Sequence, residues 1–186
     1  MFSTPALLSQ LARRVTLAML LCVVLAPQGS RAESPVVTEY HVKAAFLYNF
    51  SRFVNWPQAI EQTFRLCVIG DNPFGELLDP LIGKSVQDSI LVVEEHSTVR
   101  NIHDCQLAYI SPSLEKEIDA VLAELKKYPI LTVSDIEGFT HAGGMIELSL
   151  KGKKVSFAIN TSVADTAGLS ISSKLLNLAT NVRAGR

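Results

Sequence analysis

Ser134, Asp135 and His141, three side chain types that together can cleave an amide or ester bond, fall within eight residues of one another. Such chemistry needs a nucleophile, a base beside it and a group that stabilises the developing oxyanion. Ser134 follows the apolar run from Ile130 to Val133 and lacks the G-x-S-x-G surroundings of a nucleophile elbow. Serine and aspartate at a strand end more often bond their own backbone and make a turn. The four histidines, His41, His96, His103 and His141, are scattered, with none paired at i, i+3 or i, i+4. A zinc site needs several converging ligands, and His103-Asp104-Cys105 is the nearest approach to such a set. Glu94-Glu95 and Glu115 with Glu117 read as solvated faces. Gly70-Asp71-Asn72-Pro73 follows an apolar strand, but without G-x-G-x-x-G or a Walker motif. The expectation is a protein that binds: no catalytic residue, no metal and no cofactor.

The elements that would hold these residues alternate. Tyr40 to Val54 reads as a helix with Val42, Ala45, Phe46, Phe50 and Phe53 along one stripe and Lys43, Asn49 and Arg52 between them. Pro57 ends it, with Trp56, the only tryptophan, at its exit. Phe64 to Ile69 reads as a strand, Phe74 to Ile82 as a short helix, Ser89 to Val93 as a strand, and Thr98 to Asp104 as a short helix or turn. Leu107 to Ile110 and Ile130 to Val133 are short apolar strands. Between them a helix begins at an expected Ser113 cap and buries Leu114, Ile118, Val121, Leu122 and Leu125. Met145 to Leu150 and Val155 to Ile159, split by Lys151-Gly152-Lys153, make a hairpin. Asn160-Thr161 caps a short helix, and a last helix from Ser172 or Ser173 carries Leu175, Leu176, Ala179 and Val182. Alternation with fully apolar strands predicts a single α/β domain. Its mixed, mostly parallel sheet has an antiparallel edge hairpin and is flanked by helices.

The N-terminus has the signature of a secretory signal peptide over residues 1–32. Arg13 and Arg14 precede an apolar run from Val15 to Leu25, and Ser30-Arg31-Ala32 offers a cleavage site before Glu33. The run is only about half of the roughly 20 residues that a membrane span requires. The remaining domain, 33–186, keeps fourteen basic residues against eighteen acidic ones and has no basic run, which argues against nucleic acid as a partner. Such a leader points to export. Two cysteines remain after cleavage, Cys67 and Cys105. In an oxidising compartment one disulfide is the default, closing a loop of about 39 residues and adding roughly 3–4 kcal/mol; two free buried thiols are the alternative.

Several segments, in order, resemble the YfiR family of periplasmic regulators: KAAFLYNFSRFVNWP from Lys43, LCVIGDNPFG from Leu66, LTVSDIEGF from Leu131, GGMIEL from Gly143, FAIN from Phe157 and AGLSISSKLLNLA from Ala167. The set covers essentially the whole chain after the leader. The resemblance implies an α/β sandwich, often a homodimer, with Cys67 and Cys105 at the positions of a family disulfide. It implies a regulator that binds the periplasmic sensor domain of an inner-membrane diguanylate cyclase and holds it inactive. An OmpA-like outer-membrane lipoprotein would sequester the regulator and so raise cyclic di-GMP and biofilm. Some members carry a second, redox-sensitive disulfide in the hairpin region, where this chain has no cysteine. The expected contact residues are Phe46, Phe50 and Phe53 on the first helix and Trp56 at its exit. By analogy with the family, Asn55, Trp56, Ser170, Ser172 and Ser173 would border a small-molecule pocket, and a periplasmic ligand-binding module without a cyclase partner is the alternative reading.

Overall fold

Apolar runs with no polar alternation must bury both faces of their strands, and this is how the sheet is built. The computed structural model describes residues 35–184; the proposed leader lies outside the described residues. In chain order the elements are helix α1 (Pro35–Phe53), β1 (Val54–Asn55), β2 (Thr63–Ile69), a 3-10 helix (Gly75–Leu81), β3 (Ser85–Val86), β4 (Ser89–His96) and β5 (Leu107–Ile110). A second 3-10 helix (Pro112–Glu117) leads into α2 (Ile118–Leu125). Then come β6 (Leu131–Ser134), β7 (Ile146–Lys151), β8 (Lys154–Asn160), α3 (Thr161–Thr166), β9 (Ser170–Ile171), α4 (Ser173–Leu176) and β10 (Asn181–Arg183).

The main sheet has the order β10-β8-β7-β6-β5-β2-β4-β3. Its centre, from β7 through β6, β5 and β2 to β4, is parallel, while the β7–β8 hairpin and the β3–β4 pair are antiparallel. Beyond the hairpin, β10 adds three residues in parallel to β8. Side chains alternate between two apolar layers. Phe64, Leu66, Val68, Leu107, Tyr109, Leu131 and Val133 face α1, and Cys67, Ile69, Ala108 and Ile110 face α2. On the first side Phe157 of β8 is clasped by Phe46 and Phe50, with ring centroids 5.3 and 5.1 Å away. Full burial of each such ring contributes about 1.5–3 kcal/mol.

Three local expectations are corrected. Helix α1 begins earlier than Tyr40 and is rotated. Its buried face is Lys43, Ala44, Leu47, Phe50 and Ser51, while Val42 is 39% exposed. The cap in this region is Ser111 rather than Ser113, and it starts the second 3-10 helix, its hydroxyl accepting from the Ser113 amide at 3.3 Å. The last helix stops at Leu176, because Asn181–Arg183 pairs with β8 and carries Val182 away as a strand residue.

The exit of α1 is fastened to the end of the chain. Strands β1 and β9 form a separate antiparallel pair, Val54 opposite Ile171 and Asn55 opposite Ser170, and the Ser172 amide donates to the Phe53 carbonyl at 2.9 Å.

Candidate functional site

In open α/β sheets the crevice for ligands lies beyond the carboxyl ends of the strands, where the chain order reverses. Here that point lies between β2 and β5, and side chains fill it. The Ser113 hydroxyl accepts from the Asp71 amide at 3.0 Å. A Cβ on Gly70 would stand 2.6 Å from that same oxygen, so only glycine fits, and its φ of +91° suits glycine alone. Just below, Phe74 meets Tyr109 edge-on at 4.7 Å.

The densest polar constellation lies one strand further on, around Asp135 at the end of β6. Its Oδ1 accepts from the Tyr109 hydroxyl at 2.5 Å, and its Oδ2 accepts from the Tyr40 hydroxyl at 3.1 Å. The Lys43 ammonium, 2% exposed, pairs with both Asp135 and Glu39. Burial by itself would lower the Lys43 pKa, but the hydrogen bonds to Asp135 and Glu39 and the Asp135 charge outweigh it and hold lysine above its ordinary value. Burial first, then the Asp135 charge, raise the hydroxyls of Tyr40 and Tyr109. The cluster is an internally satisfied clamp: Asp135 and burial together hold the protons of Tyr40, Lys43 and Tyr109 in place, and α1 is pinned to the ends of β5 and β6. Periodicity gave no sign of it, since Tyr40 and Asp135 are 95 residues apart.

Ser134, suspected as a nucleophile, donates its hydroxyl to the Ile110 carbonyl at 2.7 Å and accepts from the Ile136 amide at 3.1 Å, in a fully buried position. His141 is exposed on the loop beyond. That loop is folded around Glu147, whose carboxylate accepts from the amides of Gly138 and Thr140 and from the Thr140 hydroxyl. These groups shape the turn, as the strand-end reading expects.

The expected contact residues separate into two sets. Phe50 is fully buried and belongs to the core, which corrects its place on a contact surface. Phe46, Phe53 and Trp56 are half-buried. Trp56 packs edge-on against Phe64 at 5.2 Å and donates its indole N–H to the Gln106 carbonyl at 3.1 Å. Asn55 and Ser170 are brought together as opposed residues of β1 and β9, both exposed, and Ser173 is exposed beside them in sequence. Ser172 caps α4, its hydroxyl accepting from the Leu175 amide at 3.4 Å. Past Trp56 opens a cleft of about 700 Å³ bordered by Arg65, His103, Asp104, Gln106 and Tyr128. Cys105 lies on the same wall, joined to Cys67 by a disulfide with 6.0 Å between Cα atoms. No described helix is long and apolar enough to cross a membrane.

Comparison with known proteins agrees with this architecture. The sequence profile of the YfiR/HmsC-like family matches residues 40–180. No curated protein matches the chain in sequence. Among solved structures, a conserved domain protein from Vibrio cholerae shares the fold with a TM-score of 0.56 and 11% identity over 77% of this chain. The chain spans 60% of the length of that relative.

Proposed function

We propose, on the premise that the chain belongs to the YfiR/HmsC-like family, that it represses an inner-membrane diguanylate cyclase by binding the cyclase's periplasmic sensor domain. The observation that carries this reading is the extent of the match: residues 40–180 run from α1 through α4, so the family likeness takes in the main sheet from β2 to β8 and the β1–β9 fastening. Repression of this kind needs no turnover. The regulator must bind one conformation of the cyclase better than the other, and the difference in affinity sets how far the equilibrium moves. The surface proposed for the contact is the corner where α1 meets β1 and β9, with Phe46, Phe53 and Trp56 half-buried and Asn55, Ser170 and Ser173 at its rim. Export through a leader cleaved after Ala32 would deliver the protein to the periplasm. There an OmpA-like outer-membrane lipoprotein would compete for it, and a homodimer would be its free form.

Deletion of the gene should raise cyclic di-GMP and biofilm. Complementation with the wild-type chain should reverse both, whereas complementation with Asn55→Arg/Ser173→Arg should not. Purified chain should capture the periplasmic sensor domain of a membrane diguanylate cyclase from the same cell, and the double variant should lose that capture while keeping its circular dichroism. Unchanged cyclic di-GMP after deletion would sink the repressor reading.

The cleft beside Trp56 favours a second reading, a periplasmic small-molecule-binding module. Native mass spectrometry of the purified chain distinguishes it, through a retained metabolite whose loss follows Arg65→Ala.

A further inference from the structure

The topology assembles a second cluster that is distant in sequence. Cys67 lies in β2, His96 closes the neighbouring β4, and Cys105 stands just before β5 on the other side of β2. One ligand atom from each lies within 4.8 Å of the others. His103, which adjoins Cys105 in sequence, points elsewhere: its ring is 58% exposed and its Nε2 stands 3.5 Å from Asp104. Both cysteines are buried. The Nε2 of His96 is shut off from solvent and has no hydrogen-bond partner among the described residues. Glu94 Oε2 is 3.4 Å from it, within ion-pair range but outside hydrogen-bond geometry, and the other oxygen of that carboxylate is held by Arg65 Nε at 2.9 Å. A buried imidazole nitrogen without a partner is costly in a purely structural role. Two sulfurs and one imidazole are the donor set of a thiolate-binding cation, with a fourth position left open.

We propose that Cys67, Cys105 and His96 form a redox-gated site for a thiophilic cation such as Zn²⁺: closed while the disulfide stands, open once it is reduced. An external dithiol supplies two electrons and two protons and leaves as its own disulfide, giving two thiols. Binding then releases the thiol protons, so that the cation bonds to two thiolates and to the neutral imidazole. The fourth position falls to the Glu94 carboxylate or to water. Cys105 borders the cleft next to Trp56, which gives a reductant its approach.

The test uses the full purified chain reduced with a phosphine, which is then removed. Titration with Zn²⁺ should reach one equivalent and protect two thiols from alkylation. Co²⁺ in its place should give thiolate-to-metal charge-transfer absorption. The oxidised chain should do neither. His96→Gln keeps both cysteines and should weaken Zn²⁺ binding at least about tenfold, since losing even an outer-shell partner of a metal ligand costs 10–100-fold. Circular dichroism follows folding throughout, and Zn²⁺ should raise the melting temperature of the reduced wild type but not of the variant. The proposal is overturned if reduced wild type takes up no Zn²⁺, if His96→Gln binds as tightly, or if the reduced chain is unfolded with and without the cation.

Discussion

The Tyr109 hydroxyl donates to Asp135 Oδ1 at 2.5 Å, from the middle of one buried strand to the residue just past the end of the next. Together with Tyr40 and Lys43, both on α1, it makes the Asp135 carboxylate the junction between the first helix and the sheet. Asp135→Ala leaves the Lys43 ammonium buried with Glu39 as its remaining acid partner, and should cost about 3–5 kcal/mol. Tyr109→Phe removes one bond to a charged group and should cost about 1.5–3 kcal/mol. Urea denaturation checks both. A Lys43→Met/Asp135→Leu pair, which removes both charges together, should lose less than Asp135→Ala alone.

The same junction sets an alkaline limit. Lys43, Tyr40 and Tyr109 all hold their protons more tightly in the folded state than in the unfolded chain. A raised folded value adds stability that is complete below the unfolded pKa and is lost as pH rises toward the folded one. The unfolded values are 10.0 for the tyrosines and 10.5 for the lysine. The contribution of these groups should therefore be level from about pH 8 to about pH 10 and fall above it. Urea midpoints measured at pH values above about 10 should decline less steeply in Tyr109→Phe than in the wild type.

The disulfide ties β2 to the entrance of β5 across 38 residues. A Cys67→Ala/Cys105→Ala variant should be less stable by roughly 3–4 kcal/mol. Mass spectrometry without reduction should find no alkylatable thiol at either position in the wild-type chain. Labelled thiols at both positions in freshly purified wild-type protein would overturn this.

Gly144 should tolerate no side chain. A Cβ there would lie 2.1 Å from the Phe139 ring, which is itself fully buried. Gly144→Ala must displace the ring or the strand entry, and should cost about 1–3 kcal/mol by overpacking. Phe139→Leu in the same chain should restore part of the loss, as thermal melts of the three variants would show.

What the sequence revealed and what it hid divide along a physical line. Leu107 to Ile110 and Leu131 to Val133 announce a sheet buried on both faces, because these largely apolar runs have no alternating polar face to turn to water. Cys67 and Cys105, the two cysteines of the described residues, announce a bridge if the chain is exported to an oxidising compartment as expected. Lys43 misled: by periodicity it lay between the apolar positions, but a charge 92 residues away draws it inward and turns the helix with it. Val182 misled in the opposite way, since its spacing from Leu175 fits a helix while β8 offers a ladder to pair with. The Asp135 cluster was visible only as the turn-forming half of Ser134-Asp135. Its other members come from α1 and β5, and no local pattern records which strands will be neighbours. His96 escaped notice for the same reason, two strands from one of its cysteines.

The pairing of Val54 with Ile171 has a temporal side. A chain that emerges N-terminus first presents α1 with β2 and the first 3-10 helix soon behind it, but the rest of its cover comes late. Leu47 and Phe50, fully enclosed in the finished protein, have no Phe157 to pack on until the hairpin has been delivered, and no β9 to hold the helix exit until later still. Among the described elements this helix is thus the first made and among the last fully secured. Throughout that interval the part of its aromatic face that Phe157 covers is open to chaperones and proteases, and a product truncated before β8 would leave Phe46 and Phe50 without that ring.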